Sequence, residues 1–229
     1  MKITLTIPTS LSEITLEQNQ RFSKLVEDKD PKKDVKLIND ASIHCFCNLP
    51  LQAIGGLKVK DYNFAISQIK KVLEEKPDLQ RTIKLDGVTY GFIPNLDKMT
   101  LGCYEDVNEN FEEVRLWHRA MAGLYRKVTV KKGDLYRIED YEGADKYCEQ
   151  MKQLPMSVVV GCDVFFYNLR NDLLKTLKYY LKKSLSKKEN KLLAQEKGID
   201  MTYFIPLLEE TILKLRLPQK SLLEAHLSF

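Results

Sequence analysis

One stretch limits the fold more than any other. From Ser157 to about Lys183 the chain runs on without a proline, and its first three turns carry Val158, Val159, Val160, Cys162, Val164, Phe165 and Phe166. At 1.5 Å per residue this predicts a helix on the order of 40 Å long. A helix apolar on nearly every side must be enclosed, so the opening of this one is expected at the centre of a core. Its second half is amphipathic, with Leu173, Leu174, Leu177, Tyr180 and Leu181 expected inward and Lys175, Lys178, Lys182 and Lys183 outward.

The segments that would surround it are mostly helical. Met1 to Pro8 alternates like a short strand. Thr15 and Gln18 form a capping box for a helix reaching Glu27, with Leu16, Phe22, Leu25 and Val26 on its stripe. Asp30-Pro31 predicts the start of a second helix, with Val35, Ile38, Ser42 and Cys45 on one face, ending at Leu49-Pro50. Asp61 is the expected cap of a third, buried through Tyr62, Ala65, Ile66, Ile69, Val72 and Leu73. Asp86-Gly87 between alternating runs is a type I′ hairpin signal over Thr82 to Tyr90. Thr100 would cap one short turn, while Asn110 with Glu113 predicts a fourth helix carrying Val114, Trp117, Met121, Leu124 and Tyr125. A second hairpin around Lys132-Gly133-Asp134 and a brief helix within Gly143 to Met151 complete the pattern. The fold class expected is mainly α with small β-hairpins: a helical core over 1–185 with a hairpin near 82–92, then a basic linker and amphipathic arm over 186–229.

Composition excludes several classes. With 44% hydrophobic and 30% charged residues in 229, the chain is globular rather than disordered or collagenous. Its opening has no signal-peptide pattern, and its most apolar stretch, Val158 to Tyr167, is far short of the roughly 20 residues that span a bilayer. Five cysteines, an odd number, fit a reducing compartment, so a soluble protein made in a cytoplasm is expected. The net charge of +4 is small but local, since Arg170 to Lys197 holds nine basic residues against three acidic ones. Lys182, Lys183, Lys187, Lys188 and Lys191 could make non-specific phosphate contacts with DNA, or form a solvated face. Ser184 to Asn190 reads as a linker. Beyond it, Phe204, Leu208, Ile212 and Leu215 share one face of an apolar arm that must dock on something.

Chemistry is sparse. The sequence has no phosphate loop, dinucleotide fingerprint, nucleophile elbow or His-Glu-x-x-His. Of the three histidines, His44, His118 and His226, His118 beside Trp117 reads as a structural residue. His44-Cys45-Phe46-Cys47 has ligand types that suit zinc, but adjacent helical residues diverge, no Cys-x-x-Cys occurs elsewhere, and Cys103, Cys148 and Cys162 are scattered. No catalytic residue, cofactor or metal is expected. An enzyme would have to use carboxylates such as Asp106, Glu112 or Glu113, for which no pairing is evident.

Four stretches carry a family resemblance: Ile7 to Leu16 (IPTSLSEITL), Leu96 to Asp106 (LDKMTLGCYED), Met121 to Arg126 (MAGLYR) and Leu154 to Leu169 (LPMSVVVGCDVFFYNL). Together they resemble a family of small proteins from the structural gene modules of tailed bacteriophages, crAss-like phages of Bacteroidetes among them. The similarity spans residue 1 to about 185. It implies a helix opening at the first stretch, a capped turn before the Trp117 helix at the second, and the long apolar helix at the last. It also implies a non-enzymatic virion protein: a tail or neck component, a cargo protein in the particle, or a tail assembly chaperone absent from it. The implied partners are other phage structural proteins and further copies of the chain.

Overall fold

The computed structural model describes residues 4–185, without the side chains at 178, 181, 182, 184 and 185. Within these residues the chain forms α1 (Leu16–Val26), α2 (Val35–Phe46), α3 (Leu51–Ile54) and α4 (Val59–Leu73), then β1 (Thr82–Leu85) and β2 (Val88–Phe92). There follow α5 (Leu101–Phe111), α6 (Trp117–Leu124), β3 (Tyr125–Lys132), β4 (Leu135–Ile138), α7 (Cys148–Met151) and α8 (Met156–Leu185). The fold is mainly α with one small antiparallel sheet, in strand order β1-β2-β3-β4.

The opening of α8 is the centre of the core, as its composition requires. Met156, Val158, Val159, Val160 and Cys162 are all buried. The N-terminal segment is stitched to this point by backbone bonds. Leu16 N–H donates to the Leu154 carbonyl at 2.8 Å, and Met156 N–H donates to the Ile14 carbonyl at 2.7 Å. On another side lies the chain that leads into β1. There the Tyr125 hydroxyl donates to the Gln80 carbonyl at 2.5 Å and Gln80 Nε2 donates to Ser157 Oγ at 3.2 Å. A Cβ on Gly161 would sit 2.6 Å from the Asp78 carbonyl oxygen, so this crossing needs glycine for space. Phe92 of β2 reaches the same helix, its ring 5.6 Å from Phe165 and 6.1 Å from Phe166.

Local signals explain several boundaries. The Thr15–Gln18 capping box forms in both directions. Asp86 and Gly87 take φ of 48° and 79°, as the type I′ turn of the first hairpin demands. Trp117 is a core anchor whose Nε1–H donates to the Phe111 carbonyl at 3.0 Å. Other expectations are corrected. Residues 4–8 form no strand. Asp30 caps only a turn, its Oδ1 accepting from Lys32 N–H, and α2 starts at Val35. The third helix, α4, begins at Val59, with Asp61 inside its first turn.

Thr100 rather than Asn110 starts the decisive helix. Its hydroxyl accepts from Cys103 N–H and α5 runs the full eleven residues to Phe111, with Asn110 inside it. Glu113 precedes a single 3₁₀ turn, and α6 begins only at Trp117. The two predicted hairpins are not separate, because Gly91 pairs with Arg126 and joins them into one sheet. Leu25, expected on the buried stripe of α1, is 40% exposed, whereas Asn19 is fully buried.

Two glycines in helices test this packing in opposite directions. Gly161→Ala must push apart backbone and should cost about 1–3 kcal/mol. Gly102, exposed in α5 with nothing near its missing Cβ, should gain up to about 1 kcal/mol as Ala. Chemical denaturation of the two variants reads both signs.

Candidate functional site

The second part of α8 departs from expectation in a way that defines a surface. Phe166, Leu169, Leu173, Leu177 and Tyr180 recur at three and four along one helical face. Phe166 packs on the core, and Leu169 and Leu177 are half-buried, but Leu173 and Tyr180, expected inward, are each 61% exposed. The physical reason is that packing against the domain ends near Phe166: Val164, Phe165 and Phe166 are the last residues of α8 in contact with the buried core. Among the described residues, one stripe is therefore covered at its start and uncovered beyond the domain's edge. Tyr167 and Tyr179 add exposed aromatic surface beside it.

The expected basic face is only partly within the described residues. Lys175 is exposed and ion-paired with Asp172 at 3.3 Å, and Lys183 Nζ lies 5.9 Å from the Tyr179 ring centroid. Lys182 is on α8 without a described side chain, and Lys187, Lys188 and Lys191 lie outside the described residues, as do Phe204, Leu208, Ile212 and Leu215 of the arm.

Of the carboxylates considered for catalysis, Glu112 is exposed and the other two are engaged locally. The Tyr141 hydroxyl donates to Asp106, and Glu113 is paired with Arg115. The cysteines are all free and buried. Burial pushes the Cys47 thiol up to about 11 and Cys162 up to about 12, which keeps both protonated and unreactive near neutrality. At the end of α2, His44 Nδ1 lies 2.8 Å from the Leu49 carbonyl and so acts as its donor. The cluster His44-Cys45-Phe46-Cys47 is thus a packed helix end. A cleft of about 320 Å³ beside it is lined by Arg21, His44, Asn48, Pro50, Leu51 and Gln52, without a carboxylate to act as general acid or base.

One cluster has chemistry that the sequence did not announce. His118 in α6 meets Cys148 and Glu149 of α7, with one ligand-type atom from each lying within 4.8 Å of the others. Burial, followed by nearby Lys152, holds the His118 imidazole below its ordinary value, so the ring is neutral near pH 7. The residues are thirty positions apart and no motif spacing links them, so only the packing of α6 on α7 brings them together.

Compared with known proteins, the chain matches no family model, no curated protein and no solved structure. Its own geometry adds that no helix among the described residues is long and apolar enough to cross a membrane.

Asp163 sits where α8 leaves the core, and burial raises its carboxyl to about 6, opposed by Arg170. The folded chain therefore holds this proton more tightly than the unfolded chain, whose value is near 3.8. The contribution of Asp163 is most favourable below that value, declines as pH rises towards about 6, and is level above. Asp163→Asn should remove the decline, stabilising the protein near pH 7 by up to about 3 kcal/mol and changing little near pH 3.5. Thermal melts across that range measure both.

Proposed function

We propose that this chain is a non-enzymatic virion protein of a tailed bacteriophage, a tail or neck component or a packaged cargo protein, held in multiple copies through the uncovered stripe of α8. The observation that carries this reading is the continuation of a core-facing stripe past the edge of the domain into Leu173, Leu177 and Tyr180. An apolar face of that kind on a helix is suited to a second helix laid along it. The resemblance to phage structural-module proteins supplies the setting. It spans the segments that build the core and the start of α8. Local engagement of Asp106 and Glu113, and the protonated buried thiols, support a role without catalysis.

An assembly chaperone would use the same stripe on a transient partner, and its presence in infected cells but not in purified particles would favour that role. A nucleic-acid role would instead depend on the lysines around and beyond Lys183.

Sedimentation of the full chain tests the stripe. Leu173→Asp combined with Tyr180→Asp should convert a salt-insensitive assembly to monomer and leave the thermal transition of the domain within about 1 kcal/mol, since both side chains are exposed. Assembly that survives this change but is lost with Leu208→Asp and Ile212→Asp would move the contact to the arm. Retention on DNA that falls steeply with salt would favour the nucleic-acid reading over packing.

A further inference from the structure

The His118, Cys148 and Glu149 cluster is arranged as more than a chance meeting of polar groups. Gln20 Nε2 of α1 lies 3.0 Å from His118 Nδ1, 2.9 Å from the Val114 carbonyl and 3.1 Å from the Arg115 carbonyl. Gln20 thus meets the imidazole at Nδ1, so Nδ1 is the ring nitrogen engaged by the protein and the ring Nε2 makes no hydrogen bond among the described residues.

The other two groups are equally available. The Cys148 thiol, packed in the core, donates one hydrogen bond, to the Asp145 carbonyl at 3.5 Å, a weak bond for sulfur. Glu149 gives Oε2 to Lys152 at 2.8 Å, which leaves Oε1. His118 and Cys148 are buried at 9% and 8% exposure, while the Glu149 side chain is 71% exposed. Two of the three groups are thus buried, and the third faces solvent.

We propose that His118 Nε2, Cys148 Sγ and a carboxylate oxygen of Glu149 bind a divalent transition-metal ion of the zinc type, with water in the fourth position. A nitrogen, a sulfur and an oxygen donor suit zinc or cobalt and do not suit magnesium or calcium, which take oxygen ligands. Tetrahedral zinc ligands at about 2.0–2.3 Å from the ion lie roughly 3.5 Å apart, so the three groups must draw in by about 1 Å. On binding, the Cys148 thiol loses its proton to solvent as the sulfur–metal bond forms, with no change of oxidation state. The role is structural. A four-residue helix such as α7 cannot hold itself, and the ion would pin it to α6, and through Gln20 to α1, just before the chain enters α8.

The test uses the full chain freed of metal with a chelator, then titrated with cobalt(II) alone and with zinc alone. One equivalent of cobalt should produce a sulfur-to-metal charge-transfer band and the intense visible bands of a four-coordinate site, and zinc should displace it and raise the melting temperature. Cys148→Ser should abolish the charge-transfer band. Glu149→Gln, a change at an exposed side chain, should keep the band but weaken affinity by about tenfold or more. Should Cys148→Ser fail to fold, Glu149→Gln decides the matter on its own. Absence of metal uptake by the folded wild type, a band that persists in Cys148→Ser, or unchanged affinity in Glu149→Gln would each overturn the site.

Discussion

The first two turns of α8 have no polar side to turn to water, and the fold is organised by the need to enclose them. Side chains alone do not do it. At two places the enclosing surface is backbone: the Ile14 to Leu16 segment, which exchanges hydrogen bonds with Leu154 and Met156, and the Asp78 carbonyl, which lies against Gly161. Backbone brought this close excludes water more completely than rotamer-rich side chains, but it fixes the register of everything attached. The stitch at Ile14 sets where α1 begins, and the crossing at Asp78 sets where β1 enters the sheet. Tyr125 then locks sheet to helix, with its hydroxyl on the Gln80 carbonyl and its ring 5.5 Å from Phe92.

Much of this was legible because it is local. A capping box at Thr15, the Asp86-Gly87 turn and the apolar opening of α8 each state their structure within a few residues. What sequence could not rank was competition between signals of equal strength. Thr100 and Asn110 both look like helix caps, and Thr100 won because Cys103, Val107 and Phe111 give α5 a buried face while Asn110 only lengthens it. The joining of two hairpins into one sheet depends on Gly91, where a Cβ would strike the Tyr136 ring at 2.5 Å. That contact spans forty-five positions. The same holds for His118, whose neighbours Cys148 and Glu149 come from another helix altogether. Periodicity also said which residues of α8 share a face, but not where the domain stops covering it.

These features bear on one another. The proposed metal cluster lies on α6 and α7, one short loop ahead of Pro155, where α8 starts. The proposed contact surface lies at the other end of the same helix. Between them run the buried turns of α8, and Asp163, poorly solvated, marks where the helix leaves the core. A chain used in many copies benefits from a domain and a contact surface that share one helix, since no hinge intervenes to blur their relation.

That continuity has a geometric consequence. From Met156 to Leu185 the helix is a single thirty-residue element, and each residue in it turns the axis by about 100°. Its far stripe is therefore a dial whose setting is fixed by residue count alone. One residue gained or lost after Phe166 would swing the whole domain about a third of the way around whatever grips Leu173 and Tyr180, whereas seven would return it within about 20° of its starting direction. Length in this segment is thus a form of angular information, and evolution could alter the outer residues freely so long as it counted them.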